Sequence, residues 1–497
     1  MTDPSSASTT SPTEGDGSER RSGYGSLGTA LGVLVVAWGV GIAGFPIQDN
    51  SFFTHLATGR LILDTGSVPT VDPYTFTALG TDWTVQSWLA SVIYATAERL
   101  GGAEGLRVLA LLVYGGGAGL LWRLSRPASS IVGRIVVIVP ALVVVTEAWS
   151  IRPYMAGVIG LALVWLSLDG SGSPWLLTPL LWVWANTHGS YPLGGALVVT
   201  VLAGTMIDHR RESGEWPAVR RLREFAVLKA VVAGVVLAAV GPLRWEVWLF
   251  PVKALERSDV LSNIVEWRAP EFASTSQRVF LLFALATIAA LVRSGRWRQA
   301  LPVLAFVGAA VFSQRNIVMA VPVLLPVLAT AVPPVGTLRS TTRPALGPAV
   351  TTVFTTLVVV IAVTVVSSEL TEFDPYPAHP VAWLGTVDAA GEAGNVATQD
   401  FTGNFLEVLD GAEGEVFVDD RADMFPPEVF EDVVALGAGH PRWEEILSTY
   451  DIEVVVWERD SPLGSLLASD GDWRTVFTDT EFSVACRRGT GCRPLVH

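Results

Sequence analysis

Long stretches of this chain carry almost no charge, and that one feature narrows its possible folds more than any other. Val136–Val145, Leu193–Ile207 and Val353–Val366 are the clearest of them. A water-soluble domain is ordinarily about a quarter charged. Here 16% of the 497 residues are charged, and the mean hydropathy is +0.45. A water-soluble globule has no use for so many uncharged runs. The expected fold class is an α-helical multi-pass membrane protein, which excludes a cytosolic enzyme, a secreted domain and a nucleic-acid binder.

The net charge of −14 divides unevenly. From Thr371 onward there are 25 acidic and 7 basic residues, whereas the preceding part holds 22 acidic and 26 basic. The acid belongs to a C-terminal piece of soluble composition, and the apolar part is mildly basic. Both cysteines, Cys486 and Cys492, lie in the acidic piece and flank Arg-Arg-Gly-Thr-Gly. They could close a small disulfide loop or stand as two thiols; no CxxC or Cys/His cluster suggests zinc.

Residues 1–23 are Ser, Thr, Pro, Gly and acid, and are expected to be a disordered tail. Arg20 and Arg21 precede the first apolar run, Leu27–Phe45, which places the N-terminus in the cytoplasm and Asp49 outside. Further candidate spans lie near 84–100, 106–123, 129–148, 153–168, 174–187, 191–207, 226–241, 278–293, 300–313, 317–332 and 348–368. Several are shorter than the ~20 residues that cross hydrocarbon straight. Arginine clusters at 123–134, 210–223, 293–298 and 339–343 all fall inside if the spans from 129 onward alternate. Arg152, His188, Asn263–Glu271 and Arg315 then fall outside, as does the C-terminal piece. The segment 84–100 is the most polar and is read as a surface or re-entrant helix, leaving about eleven crossings in a domain spanning 24–369. A Pro-rich linker at 370–380 leads to a small external C-terminal α/β domain at 381–497. Its strands are expected at Val416–Val418, Ile452–Trp457 and within Trp473–Arg487, with helices at Pro427–Leu436 and Arg442–Tyr450.

The candidate chemistry lies in the outside segments. The first external loop, 46–83, opens with Asp49 and Asn50 ahead of a helix running to about Asp64. Phe52, Phe53, Leu56, Leu61 and Leu63 suit a helix lying along the membrane surface. Asp49 is either the plain N-cap of that helix or a carboxylate at the mouth of the first span. The second group is Trp182-Val-Trp-Ala-Asn-Thr-His-Gly-Ser-Tyr-Pro. Asn186 and His188 end a short apolar helix there, where polar groups are costly unless they face a cavity. His188 could act as a base, a phosphate donor or a metal ligand, or be satisfied by a neighbouring carbonyl. The third group is basic: Arg152 before Pro153, and Arg315-Asn316 breaking an apolar run. Guanidinium suits bidentate phosphate binding; the alternative is an ion pair with Glu147, Glu266 or Asp49. The loop 242–277 adds Trp residues beside carboxylates, including Glu266, which suit either a sugar ring or the headgroup level.

These residues carry a resemblance. A first helix, an external loop opening with Asp49, a surface helix and the helix start Trp83-Thr-Val-Gln-Ser-Trp-Leu resemble the GT-C glycosyltransferases. The stretch Ala97-Glu-Arg-Leu-Gly-Gly-Ala-Glu-Gly-Leu-Arg is similar to the turn after the second helix in the protein O-mannosyltransferase and lipid A aminoarabinose transferase branches. The chain is also similar to a group of bacterial multi-pass proteins that share Asp-x5-His-x3-Gly, Arg-Pro, Trp-x-Asn-x-His-Gly and a small external C-terminal domain. Here these are Asp49/His55/Gly59, Arg152-Pro153 and Trp184/Asn186/His188/Gly189. The chain departs from the paired acidic motif of many GT-C enzymes, because Asn50 follows Asp49.

The resemblance implies transfer of a sugar from a polyprenyl-phosphate donor to an envelope glycan, lipid or protein acceptor at the outer face of the plasma membrane. Asp49 would orient or deprotonate the acceptor, and His188 would assist. His55, Arg152, Asn186, Glu266, Arg315 and Asn316 would bind substrate, with the arginines on the departing lipid phosphate. No resident cofactor and no metal ligand is assigned, and a divalent ion stays open. Membrane lipids are the surrounding partner, and no nucleic acid is expected. Two other classes stay open: a lipid or glycan transporter, although no inverted repeat is found, and a non-catalytic partner in envelope assembly.

Overall fold

The computed structural model describes residues 19–45, 49–146, 149–256, 265–333, 346–366, 378–389 and 394–490. The chain is mostly helical, with a small C-terminal sheet. The apolar part holds α1 (Glu19–Ile42), α2 (Asn50–Thr65), α3 (Trp88–Leu124), α4 (Ile131–Thr146), α5 (Met155–Leu168), α6 (Leu177–Thr187) and α7 (Pro192–Ser213). It continues with α8 (Arg223–Leu237), α9 (Glu246–Glu256), α10 (Thr275–Ser294), α11 (Trp297–Phe312), α12 (Arg315–Ala331) and α13 (Leu346–Val366). Among the described residues three helices, α3, α7 and α10, are long and apolar enough to cross a membrane, which is compatible with a membrane protein. Shorter apolar helical stretches are Leu27–Ile42, Ile131–Thr146, Met155–Leu168, Trp297–Phe312, Arg315–Ala331 and Thr355–Val366. The first helix begins at Glu19, so the expected tail ends earlier than residue 23.

The expected segments 84–100 and 106–123 are two helical stretches within Trp88–Leu124, separated by a sharp break. Gly101 and Gly102 leave helical geometry, and Gly102 adopts φ +57°, ψ −140°, a conformation open to glycine and strained for other residues. The first half of α3 turns back along α2. Arg60 pairs with Glu98 at 2.5 Å, and Arg99 pairs with Asp64. Gly59 permits the contact: a Cβ there would stand 2.0 Å from the Ser91 carbonyl oxygen. Thus much of the apolar surface of α2 is covered by protein. Phe52 meets Tyr94 of α3 on one side, and Phe53 meets Phe405 of the C-terminal unit on the other.

At the centre stands α12, buried continuously from Ile317 to Val327. Its Pro322 and Pro326 are tolerated because neighbouring helices enclose the backbone they free. One end of the bundle is laced by charge. Arg298 meets Glu224 at 3.1 Å and Asp169 at 3.3 Å, and Asp208 accepts the backbone N–H groups of Trp297 and Arg298. Arg152 and Asp169 flank opposite ends of α5, as do Ser190 and Asp208 on α7, and Arg315 and Arg298 around α11. The 14 residues of α5 put about 21 Å between these two ends.

In the C-terminal unit α14 (Ala378–Ala389) precedes a four-stranded sheet ordered β1-β2-β4-β3. β1 (Asn395–Thr398) runs parallel to β2 (Ile452–Glu458); β3 (Trp473–Thr478) and β4 (Phe482–Arg487) complete it antiparallel. Helices α15 (Asp400–Asp410), α16 (Pro427–Gly437), α17 (Trp443–Thr449) and α18 (Pro462–Ser469) pack around it. Residues 371–377 of the expected linker lie outside the described residues. Cys486 is in a disulfide, and Cys492, the other cysteine, lies outside the described residues.

One expected strand is not in the sheet. Val416 pairs instead with the first loop: its N–H donates to the Tyr74 carbonyl at 3.0 Å, and Phe76 N–H donates back to its own carbonyl at 2.9 Å. Phe76, Ala78 and Trp83 enter the core of the C-terminal unit, and Phe405, Leu406 and Val416 enter that of the helical part. The C-terminal unit therefore does not close its core alone. A buried clamp fastens the two. Arg421 lies 2.6 Å from Asp72 and 2.5 Å from Asp419, with its guanidinium 4.3 Å over the Trp83 ring. Asp72 also accepts from the backbone N–H groups of Tyr74 and Thr75, so it folds the loop as well as holding the clamp.

Candidate functional site

Asp49 occupies the N-cap position of α2 with extended backbone, but its side chain makes no capping hydrogen bond. The Ser51 backbone N–H still bears on the carboxyl, so Asp49 keeps a cap-like contact beside its ion pair. Its Oδ1 lies 2.8 Å from Arg152 Nε. Arg152 is committed on all sides. Its Nη1 meets Glu266 Oε1 at 2.5 Å, and its Nη2 donates to Ser51 Oγ at 2.7 Å. Ser51 Oγ in turn donates to Asp420 of the C-terminal unit. Burial raises the Asp49 carboxyl above the usual carboxylate range, against the pull of Arg152 and of a Ser150 hydrogen bond. A carboxylate so placed is a better base than a free one.

Arg152 was expected to grip a phosphate. With Asp49, Glu266 and Ser51 already on its guanidinium, it has no open fork for one, so its geometry assigns it to holding the carboxylates. Glu266 is accordingly a partner of Arg152. Glu147, the other expected acidic partner, lies outside the described residues.

Arg315 is different. It opens α12, and its guanidinium stacks 4.5 Å over Trp267 and 5.9 Å from the Tyr154 ring centre. Among the described residues no carboxylate lies within ion-pair distance of it. Tyr154 hydroxyl donates to the Arg315 backbone carbonyl and fixes the start of the helix. A helix N-terminus and an unpaired guanidinium both favour an anion.

His188 follows the last residue of α6, in extended conformation. Its Nδ1 lies 2.8 Å from Ser190 Oγ and accepts the Ser190 backbone N–H at 3.2 Å. Ser190 Oγ also accepts from Trp184 Nε1 at 3.0 Å. Trp184 is wedged between two glycines: a Cβ at Gly160 or Gly194 would come within 2.4 and 2.9 Å of its ring. Burial pushes the His188 imidazole well below its ordinary pKa, and the charges of Arg315, His55 and Arg152 push the same way. The neutral ring with Nδ1 as acceptor carries its proton on Nε2. In that tautomer His188 offers Nε2–H as a hydrogen-bond donor, in keeping with the phosphate-donor role among those the sequence left open. Its ring meets Tyr154 edge-on at 5.6 Å.

His55 sits one turn along α2, its Nδ1 3.2 Å from Ser91 Oγ. Burial first, then Arg152, lowers it to about 4, so it too is neutral near pH 7. Asn186 and Asn316 take structural roles. Fully buried Asn186 accepts from Trp88 Nε1 at 2.8 Å and donates to the Trp182 carbonyl at 2.8 Å, tying α3 to α6. Asn316 Nδ2 donates to the Ala309 carbonyl at 3.1 Å, across the break between α11 and α12. Both had been expected to bind substrate; their amides are turned to protein partners.

Asp49, Ser51, His55, Arg152, Tyr154, His188, Glu266, Trp267, Arg315 and Asp420 all keep partial exposure at the same end of the bundle, opposite the Arg298 cluster. Ser51, Tyr154 and Asp420 were not singled out from the sequence. Tyr154 directly follows Arg152-Pro153, and Asp420 belongs to the short charged run Asp419-Asp420-Arg421, so local signals existed. Among the described residues no group of three or more His, Cys, Asp or Glu is arranged to hold a metal ion. The chain matches no protein-family model and no curated protein.

Proposed function

We propose that the chain is a GT-C-like glycosyltransferase of the plasma membrane, with about eleven crossings, its N-terminus cytoplasmic and its site and C-terminal unit on the outer side. It transfers a sugar from a polyprenyl-phosphate donor to an envelope glycan, lipid or protein acceptor. The observation that carries this reading is the division of labour around one end of the bundle. Asp49 is a basic carboxylate held by Arg152, and Arg315 is a cation with no carboxylate within ion-pair distance among the described residues. The first half suits an acceptor hydroxyl, and the second suits a lipid phosphate.

The acceptor hydroxyl gives its proton to Asp49 as its oxygen bonds to the anomeric carbon. The bond from that carbon to the phosphate oxygen breaks, and its electron pair leaves on the phosphate. Arg315, the N-terminus of α12 and the Nε2–H of His188 stabilise the charge that develops there. Trp267 and Tyr154 give the donor an aromatic wall. The opposing Arg298 end is rich in positive charge, in keeping with a cytoplasmic side.

The test uses the full chain in phospholipid vesicles. Polyprenyl phosphate should bind, and binding should weaken about tenfold or more in Arg315→Ala. Asp49→Asn should keep binding and lose transfer from a polyprenyl-phosphate sugar. Binding without any transfer by the wild-type chain would favour a transporter or an assembly partner, and absence of binding would overturn the reading.

A further inference from the structure

The alternation of three neighbouring side chains brings the C-terminal unit into the site. Asp419 and Arg421 turn inward to the buried clamp with Asp72. Asp420, between them, turns the other way and accepts the Ser51 hydroxyl. Its backbone N–H is held by Asn404 Oδ1 at 3.0 Å, so the position is fixed from both sides. Ser51 Oγ then has a lone pair free for Arg152 Nη2, 2.7 Å away, and Arg152 Nε faces Asp49. The clamp places Asp420, Asp420 orients Ser51, and Ser51 helps aim Arg152 at Asp49.

We propose that Asp420 is a positioning residue of this site, acting through Ser51 to hold Arg152 on Asp49, so that the C-terminal unit takes part in the site. This rests on the reading of Asp49 and Arg152 as the acceptor side. The charged groups facing Asp420 are Asp419 beside it, Asp400 of α15 and Arg152. Burial raises its carboxyl to about 7, with Ser51 and Arg152 opposing and the two aspartates adding. Asp420 therefore changes charge near neutral pH, and the charge around Ser51 changes with it.

The test needs no transfer activity. In the full-length chain Ser51→Cys puts a thiol where the hydroxyl sits, and its alkylation rate is followed from pH 5.5 to 9. A carboxylate beside a thiol raises its pKa, so adding Asp420→Asn should speed alkylation about three- to tenfold at pH 7.5. It should also remove the step in the profile near pH 7. Identical profiles with and without Asp420→Asn would overturn the proposal. In the wild-type background, Asp420→Asn should lower kcat for transfer about tenfold and flatten its pH profile, with polyprenyl-phosphate binding unchanged. A tenfold loss of kcat with an unaltered pH profile would show a merely structural role. A wild-type chain that transfers nothing sinks the functional reading, while the thiol profile still decides whether Asp420 governs Ser51.

Discussion

Arg152 Nε lies 2.8 Å from Asp49 Oδ1, although Asp49 stands where a helix cap should stand. A cap would have turned its oxygen to the N–H groups of α2. Here the carboxyl is shared between the Ser51 backbone N–H and Arg152, and the ion pair holds it at the mouth of the bundle. Asp49→Asn keeps the shape and removes the charge. Transfer should fall by at least about a thousandfold, with no loss of the folded protein on size exclusion. A variant that retains a tenth of wild-type turnover would remove Asp49 from the chemistry.

Arg315→Lys keeps the charge and loses the planar fork and its stacking on Trp267. The apparent KM for the donor should rise about tenfold, and less in Arg315→Lys than in Arg315→Ala. Titration with a short-chain polyprenyl phosphate measures it. Equal affinity in all three proteins would place the phosphate elsewhere.

The Arg421 clamp is almost wholly buried, with Asp72 and Asp419 beneath it. Removing one partner of a buried ion pair strands the others. Arg421→Met should therefore destabilise the docked C-terminal unit by about 3–5 kcal/mol. Limited proteolysis near residues 66–83 and 411–421 should accelerate together, because Val416 pairs with the loop at Tyr74. Acceleration of only one segment would mean that the two are held independently.

Gly59→Ala tests the packing of α2 on α3. Its Cβ would meet the Ser91 carbonyl at 2.0 Å and Ala95 Cβ at 2.8 Å. Overpacking of that kind costs about 1–3 kcal/mol. A lower thermal midpoint is expected, together with a shift in the alkylation rate of Ser51→Cys as α2 moves. A midpoint unchanged within error would show that the contact is looser than the structure has it.

The pH dependence follows from Asp420. Its folded-state pKa, about 7, is above the ordinary aspartate value of about 3.9, so between those values the folded state binds more protons than the unfolded one. Stability then falls as pH rises through that window, and the contribution is greatest below the unfolded value. Against Asp420→Asn, the wild-type chain should lose relative stability from about pH 4 to pH 7 and change little above it. Paired thermal melts across that range measure it, and a difference that grows in the opposite direction would refute the assignment.

The apolar runs determined the helices, because a segment with nothing to offer water must satisfy its backbone internally. Nearly every expected span has its helix, and Gly101-Gly102 marks a bend legible in the sequence once glycine's freedom is considered. Asp49, Arg152, His188 and Arg315 were also legible, because a polar group at the end of an apolar run has few cheap places to sit. Which of them meet was not legible. Periodicity reports what lies on one element, whereas the Arg152 cluster joins four segments far apart in sequence. Val416–Val418 shows the same limit. Its β-branched pattern predicts a strand, but only Val416 pairs, in an isolated bridge to Thr75 of the first loop and not in the sheet, and the chain bends at Phe417. Asn186 and Asn316 were chosen for their residue type, and only their neighbours decided that their amides serve the fold. The sequence thus determined which groups need partners, and the tertiary structure decided which partners they have, because an ion pair or a tautomer depends on distances that only packing sets.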